Sequence, residues 1–185
     1  MPSRFVKRNQ MVFDFARTPA AEPQLPAGFF FVNWSPSLVD PHADVLHRSF
    51  RNDLDGTVFT TFRQYGHCRR LIELVSVNPH FLPAATLLIA RNGADQKQEY
   101  VANIQGLKLS AEIGAIQNVA VLPEYRRQGI GQALVQGALQ GFRQAGVCRV
   151  TLEATADNFP AAKLYHRIGF TTFRTYFREI FDWNP

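Results

Sequence analysis

The chain reads as a mixed α/β protein, and three features predict this. Apolar residues at helical spacing alternate along the chain with short β-prone runs. The second half runs strand, glycine loop, helix, strand. With 46% hydrophobic and 19% charged residues over 185 positions, the chain is long and apolar enough to bury a core, and it is not disordered.

The elements follow in order. Six of the eleven prolines lie within the first 41 residues, so residues 1–28 are expected to be an irregular arm, with at most a short strand around Met11–Phe15. A domain is expected over 29–185. Phe29–Trp34 is aromatic and β-prone. Ser35-Pro36 or Asp40-Pro41 opens a helix in which Val39, Ala43, Leu46 and Phe50 share a face. Asn52–Gly56 breaks it. A second helix is expected over 62–77 with Cys68, Leu71, Ile72 and Val75 inward, ended by Asn78-Pro79. Ala85–Arg91 and Glu99–Leu109 form strands joined at Asn92-Gly93, and Glu112–Leu122 is another, with a bulge at Gly114. Ile130, Ala133, Leu134, Gly137, Ala138 and Phe142 mark the strongest helix, over 130–145, stopped by Gly146. A strand over 147–154, a short helix from Pro160 to Gly169 and one or two strands over 170–180 complete the chain.

Lysine and arginine number 20 against 15 acidic residues, giving +5 and a pI near 9.6. Such a balance attracts polyanions, a phosphorylated cofactor among them. No run reaches five like charges, which argues against a nucleic-acid tail. Apolar runs are too short to span a bilayer, and no signal-peptide core follows the N-terminal basic residues. Two cysteines exclude a disulfide framework or cysteine metal cluster and fit a reducing cytoplasm. No histidine pair has metal-ligand spacing; no metal is expected.

The most informative stretch is Val119–Gly131, where a strand enters a glycine loop and the loop enters the strongest helix. Gly129 and Gly131 let a ligand approach the backbone. The first amides of a helix have no internal partner and sit at its positive end, a natural seat for a pyrophosphate. Arg126 and Arg127 add charge beside it. Leu134 fills the third glycine place of a dinucleotide fingerprint, and no Gly-Lys-Ser/Thr follows, so neither common nucleotide fold accounts for the loop.

Arg126-Arg127-Gln128-Gly129-Ile130-Gly131 resembles the Arg/Gln-x-x-Gly-x-Gly/Ala signature of the GCN5-related N-acetyltransferases. Asn158–Phe170 resembles that family's Asn-x-x-Ala-x-x-Leu-Tyr-x-x-x-Gly-Phe ending. The resemblance is firm over roughly 85–180, while 29–82 fit by order and length alone. It implies a mostly antiparallel sheet of six to seven strands flanked by about four helices. It implies acetyl-CoA as cosubstrate, held by Val119, Ala120, Val121, Arg126, Arg127, Gln128, Gly129, Ile130, Gly131 and Asn158, with Tyr165 as general acid at the sulfur. It implies a primary-amine acceptor, a small molecule or an amino terminus, attacking directly in a ternary complex. The positions where the family often carries a base are Gln117 and Ala115, which cannot take a proton. Glu153 on the next strand and a water chain are the alternatives, and Glu112, Asp157 and His166 are expected to be solvated. The missing base keeps a second reading open: a catalytically weak acyl-CoA-binding sensor of the same fold. A nucleic-acid binder ranks last. A homodimer could form through the last strands or the arm.

Overall fold

A computed structural model describes residues 4–93 and 97–180. Its centre is a seven-stranded sheet: β1 (Arg4–Asp14), β2 (Phe29–Asn33), β3 (Leu87–Asn92), β4 (Gln98–Lys108), β5 (Ile113–Val121), β6 (Arg149–Thr155) and β7 (Thr171–Ile180), in the order β2-β3-β4-β5-β6-β1-β7. Every neighbouring pair is antiparallel except β5–β6. The helices are α1 (Val39–Phe50), α2 (Leu54–Val58), α3 (Tyr65–Ser76), α4 (Ile130–Gln144) and α5 (Phe159–Ile168). None of them is long and apolar enough to cross a membrane.

Two apolar clusters lie on either side of the sheet. Ile130, Leu134, Ala138 and Phe142 of α4 and Tyr165 of α5 pack with Ile104, Val150 and Leu152 on one face. Ala43 and Leu46 of α1 and Cys68 and Ile72 of α3 pack with Leu88 and Ala120 on the other. The helices therefore form where the 3.6-residue periodicity placed them. Gly146 and Gly169 end α4 and α5 with φ of 78° and 117°, a conformation glycine adopts without strain.

The N-terminal arm is the main correction. Residues 4–14 form an 11-residue strand inside the sheet, paired to β6 on one side and β7 on the other. Residues opposed across antiparallel strands share a face. Met11 faces Leu152 and Phe13 faces Val150, both fully buried in the α4–α5 cluster, while Arg8 and Gln10 lie opposite Thr155 and Glu153 on the other face. Irregular chain is confined to 15–28, where the prolines fall. The break at Asn52–Gly56 also contains more structure than expected, since Asp53 caps the short α2.

Smaller differences have clear causes. The bulge in β5 falls at Gln117, between the pairs Gln105–Asn118 and Gly106–Ile116, and not at Gly114. Gly114 serves packing instead, because a Cβ there would stand 2.5 Å from the Phe142 ring. The turn opened by Asn92-Gly93 runs into residues 94–96, outside the described residues. The last segment is a single strand whose side chains are mostly exposed, Phe173 and Phe177 among them.

Beneath α1 lies a buried polar group. His42 is fully buried, its Nδ1 is 3.1 Å from Gln105 Nε2, and Asn103 donates to its carbonyl at 2.6 Å. Burial lowers the His42 pKa from 6.5 to about 3, so the ring is neutral in the folded protein.

Two outcomes are expected. Phe13→Ala should cost roughly 3–5 kcal/mol in denaturant unfolding, as for a core aromatic; an irregular arm would lose under about 0.5 kcal/mol. Because the unfolded histidine binds a proton that the folded one refuses, stability is present above pH 6.5 and is lost as pH falls towards 3. Acidification from pH 7 to 5 should remove roughly 2 kcal/mol through this group alone, and His42→Gln should flatten that slope.

Candidate active site

β5 and β6 lie side by side and parallel, yet they pair only over Ile113–Ala115 with Arg149–Thr151. Beyond Ala115 and Thr151 the strands diverge, and a cavity of about 630 Å³ opens between them. Residues 116–119 line one wall and 152–155 the other, with Tyr165 and Asn158 of the α5 region, Arg8 of β1, and Asp55 and Phe59 closing it. On the β4 side, β5 is fully paired through Val119, Ala120 and Val121. Its opposite edge carries no strand beyond Ala115, so main-chain groups there, the Val121 carbonyl taken by Arg126 apart, are open to a ligand. Val119 and Val121 are half-buried, while Ala120 is buried against the α1–α3 layer.

At the far end of β5 the chain passes through a short 3-10 turn, Pro123–Tyr125, and enters α4. Arg127 has φ of 64° and Gly129 has φ of 83°. The first amide to re-enter a hydrogen bond is that of Ala133, to the Gly129 carbonyl; among the described residues the amides of 127–132 donate to no protein acceptor. Uncapped, closely spaced N–H groups at a helix start form an anion seat. A Cβ at Gly129 would meet nothing, so its glycine answers to backbone conformation, whereas a Cβ at Gly131 would come within 3.3 Å of Leu164. Ile130 turns its side chain into the core.

The two arginines of the loop divide their work. Arg127 is exposed. The Arg126 guanidinium is committed to the protein: Nε donates to the Val121 carbonyl at 3.0 Å, Nη2 to the Ser49 carbonyl at 2.9 Å, and Nη1 lies 3.0 Å from Asp53 Oδ2. These bonds anchor the loop to the end of α1. Gln128 donates to the Glu124 carbonyl.

On the other wall, Asn158 caps α5 by accepting from Ala161 N at 3.2 Å and donates through Nδ2 to Asp55 Oδ2 at 3.1 Å. The Thr155 hydroxyl donates to Asp55 Oδ1 at 2.8 Å. Tyr165 is buried in the cavity wall, and its hydroxyl makes no hydrogen bond among the described residues. Burial first, and the Asp55 carboxylate second, hold this phenol well above the ordinary tyrosine value, with Arg8 pulling the other way. It remains protonated across the physiological range.

Carboxylates missing from β5 are present elsewhere in the cavity. Glu153, opposite Gln10 in the register, accepts from the Tyr176 hydroxyl at 2.6 Å and lies 3.5 Å from Arg178, with 31% of its side chain exposed. Gln117, the bulged residue, is exposed and lines the cavity, while Ala115 is buried. Glu112, Asp157 and His166 are exposed, as expected for solvated residues. Sequence reasoning missed Asp55 and Arg8. The first looked like part of a turn, and the second lay in the presumed arm.

With this geometry in place, the comparisons are consistent. Residues 62–170 match the Acetyltransferase (GNAT) family. The chain is 42% identical over 53 residues to the [ribosomal protein bS18]-alanine N-acetyltransferase of Escherichia coli (strain K12), covering 29% of this chain and 36% of that protein. It is 36% identical over 70 residues to the N-alpha-acetyltransferase of Sulfurisphaera tokodaii, covering 37% and 42%. A GCN5-related N-acetyltransferase structure from Sphaerobacter thermophilus superposes with a TM-score of 0.71 at 20% identity, over 98% of this chain and 55% of that one. Ard1 from Thermoplasma volcanium does so at 0.60 and 20%, over 84% and 100%. The chain spans about half the length, or less, of the curated relatives it matches. The family match covers more than half of the sequence, and the chain belongs to the GNAT acetyltransferase family.

The split between the arginines is testable by thermal unfolding. Arg126→Ala should destabilise by about 1–2 kcal/mol, having lost two bonds to backbone carbonyls; Arg127→Ala should stay within about 0.5 kcal/mol.

Proposed function

We propose that the chain is an acetyl-CoA-dependent N-acetyltransferase that acylates a primary amine, of a small molecule or an amino terminus, by direct attack with both substrates bound. One observation carries this reading. The fork between β5 and β6 holds an unpaired phenol in its cavity, and the β5 arm runs on past that cavity to uncapped amides at the start of α4.

The residues fit the coenzyme. The amides of 127–132, with the exposed Arg127 beside them, suit its pyrophosphate. The strand-free edge of β5 along Val119–Val121, with the Val121 carbonyl taken by Arg126, suits the amide-bearing arm, and Asn158 meets that arm where α5 begins. Bound acetyl-CoA supplies an acyl thioester near Tyr165. A main-chain N–H of β5 is the donor available to the thioester carbonyl. Tyr165, protonated and without another partner, donates to the departing sulfur. The incoming amine must shed a proton. Glu153, which lines the cavity with 31% of its side chain exposed, is the acceptor in this scheme, directly or through water beside Gln117. No metal takes part in this scheme. A reducing cytoplasm suits the free thiols of Cys68 and Cys148, and a homodimer through β7 would cover the exposed Phe173 and Phe177.

Thiol release from acetyl-CoA with a panel of amines and peptide amino termini tests the reading. Amine-dependent release is expected; tight coenzyme binding with no release from any acceptor would favour the sensor. Tyr165→Phe should lower kcat by about 100-fold while acetyl-CoA affinity, read by calorimetry, stays near wild type. Equal turnover would remove the general-acid role.

A further inference from the structure

Arg8 is a cation sealed into the floor of the cleft by the N-terminal strand. It is 8% exposed, and burial holds its guanidinium below the ordinary arginine value, with Glu153 and then Asp55 opposing that. It stays charged all the same. Its Nη1 donates to Thr155 Oγ1 at 2.8 Å and its Nη2 to the Glu153 carbonyl at 3.1 Å. Its Nε has no hydrogen-bond partner and stands 3.9 Å from Glu153 Oε2. The guanidinium lies over the Phe59 ring, 5.1 Å from its centroid.

The contact does not stop at Thr155. That hydroxyl donates to Asp55 Oδ1, and Asp55 Oδ2 accepts from Asn158 Nδ2, while Asn158 Oδ1 caps the helix carrying Tyr165. A single hydrogen-bonded path therefore runs from the Glu153 carbonyl through Arg8, Thr155 and Asp55 to Asn158, and the Glu153 carboxylate meets it as an ion pair 3.9 Å from Arg8 Nε. It joins β1, β6, α2 and the start of α5. A buried charge is a poor way to gain stability when apolar residues would fill the same space. Its position between the acceptor end and the coenzyme end of one cavity suggests a different use.

We propose that Arg8 is a positioning residue that couples the two ends of the cleft, holding Glu153 at the acceptor side and, through Thr155 and Asp55, the Asn158 amide at the coenzyme side. The inference rests on the acetyltransferase reading of the site. Seating the coenzyme arm draws on Asn158, which loosens its bond to Asp55. The freed carboxylate then falls back on Thr155 and Arg8, and Arg8 in turn adjusts against Glu153. The groups that face Glu153 in this arrangement are Arg8 and Gln10 from β1 and Tyr176 and Arg178 from β7.

The test uses the full chain and three variants: Arg8→Met, Arg8→Lys and Thr155→Val. Acetyl-CoA affinity is read by calorimetry, kcat and amine KM by thiol release, and folding by circular dichroism. Arg8→Met should weaken acetyl-CoA several-fold and lower kcat by about ten-fold or more, and Arg8→Lys should recover part of the kcat loss because the charge returns without the fork. Thr155→Val, which cuts the path and leaves Arg8 in place, should weaken acetyl-CoA about as much as Arg8→Met, and the double variant should bind no worse than either single one. Folded Arg8→Met with unchanged affinity and kcat would overturn the inference. So would Arg8→Lys no better than Arg8→Met, or additive losses in the double variant. If Arg8→Met fails to fold, Thr155→Val decides alone, and wild-type affinity there overturns the path. Wild-type protein that does not bind acetyl-CoA would overturn the functional reading itself. Binding without an effect of the variants overturns only the coupling.

Discussion

Two parallel neighbours in this sheet hydrogen-bond over three residue pairs and then part. Parallel strands in a sheet normally pair along their whole shared length, because an unpaired buried backbone group is costly. Here the unpaired edge of β5 is kept out of the dry core by facing a cavity, so water or a ligand can satisfy it. The fork also sets directions. One arm delivers the chain to the start of α4 and its unpartnered amides. The other delivers it to Asn158 and α5, and so places Tyr165 on the opposite wall. The bulge at Gln117 sits on the first arm just past the point of divergence and turns its side chain towards the opening.

A fork needs something to hold its arms at a fixed separation. Two residues of one segment do this. Asp53 pairs with Arg126 beyond the end of β5, and Asp55 accepts from Thr155 and Asn158 at the end of β6. The segment between α1 and α3 thus straddles the mouth of the cleft and is fastened to both sides. β1 closes it from the third side. By pairing with β6 along its outer edge, β1 prevents that arm from collapsing towards β5 and places Arg8 and Gln10 in the cavity lining.

The second half of the chain was legible because its signals are local. A 3.6-residue apolar period, glycines with positive φ at helix ends, and the Gly129–Gly131 loop all report on backbone within a few residues. The arm misled because β1 does not alternate cleanly. Met11 and Phe13 bury on one face, but Phe5 on that same face is exposed beyond the helices, and the other face carries Arg8 and Gln10 into a polar cavity. A strand bordered on one side by a polar cavity looks like irregular chain, and the prolines that follow strengthen that impression. The anchoring of Arg126 was hidden for a related reason. Nothing within the loop reveals that its guanidinium reaches Ser49 and Asp53, far away in sequence. Asp55 has the composition of a turn residue, and its partners are about a hundred positions distant.

The anchoring of α1 completes the mechanical picture. Asp53 and Asp55 can hold the fork only if the helix before them is itself fixed, and the polar group beneath α1 does that. Asn103 from β4 donates to the His42 carbonyl, and Gln105 from the same strand contacts the His42 ring. At the other end of the helix, Arg126 takes the Ser49 carbonyl. Apolar packing resists sliding through shape alone, and directional bonds add a second constraint on where α1 sits along the sheet. Hydrogen bonds of defined length fix the register at one value. Keeping His42 neutral inside the protein is a cost in stability at low pH. What it secures is a fixed starting point for the segment that closes the cleft. A cleft that sets unpartnered amides, a phenol and a carboxylate on diverging strands keeps their spacing only if that segment has no slack.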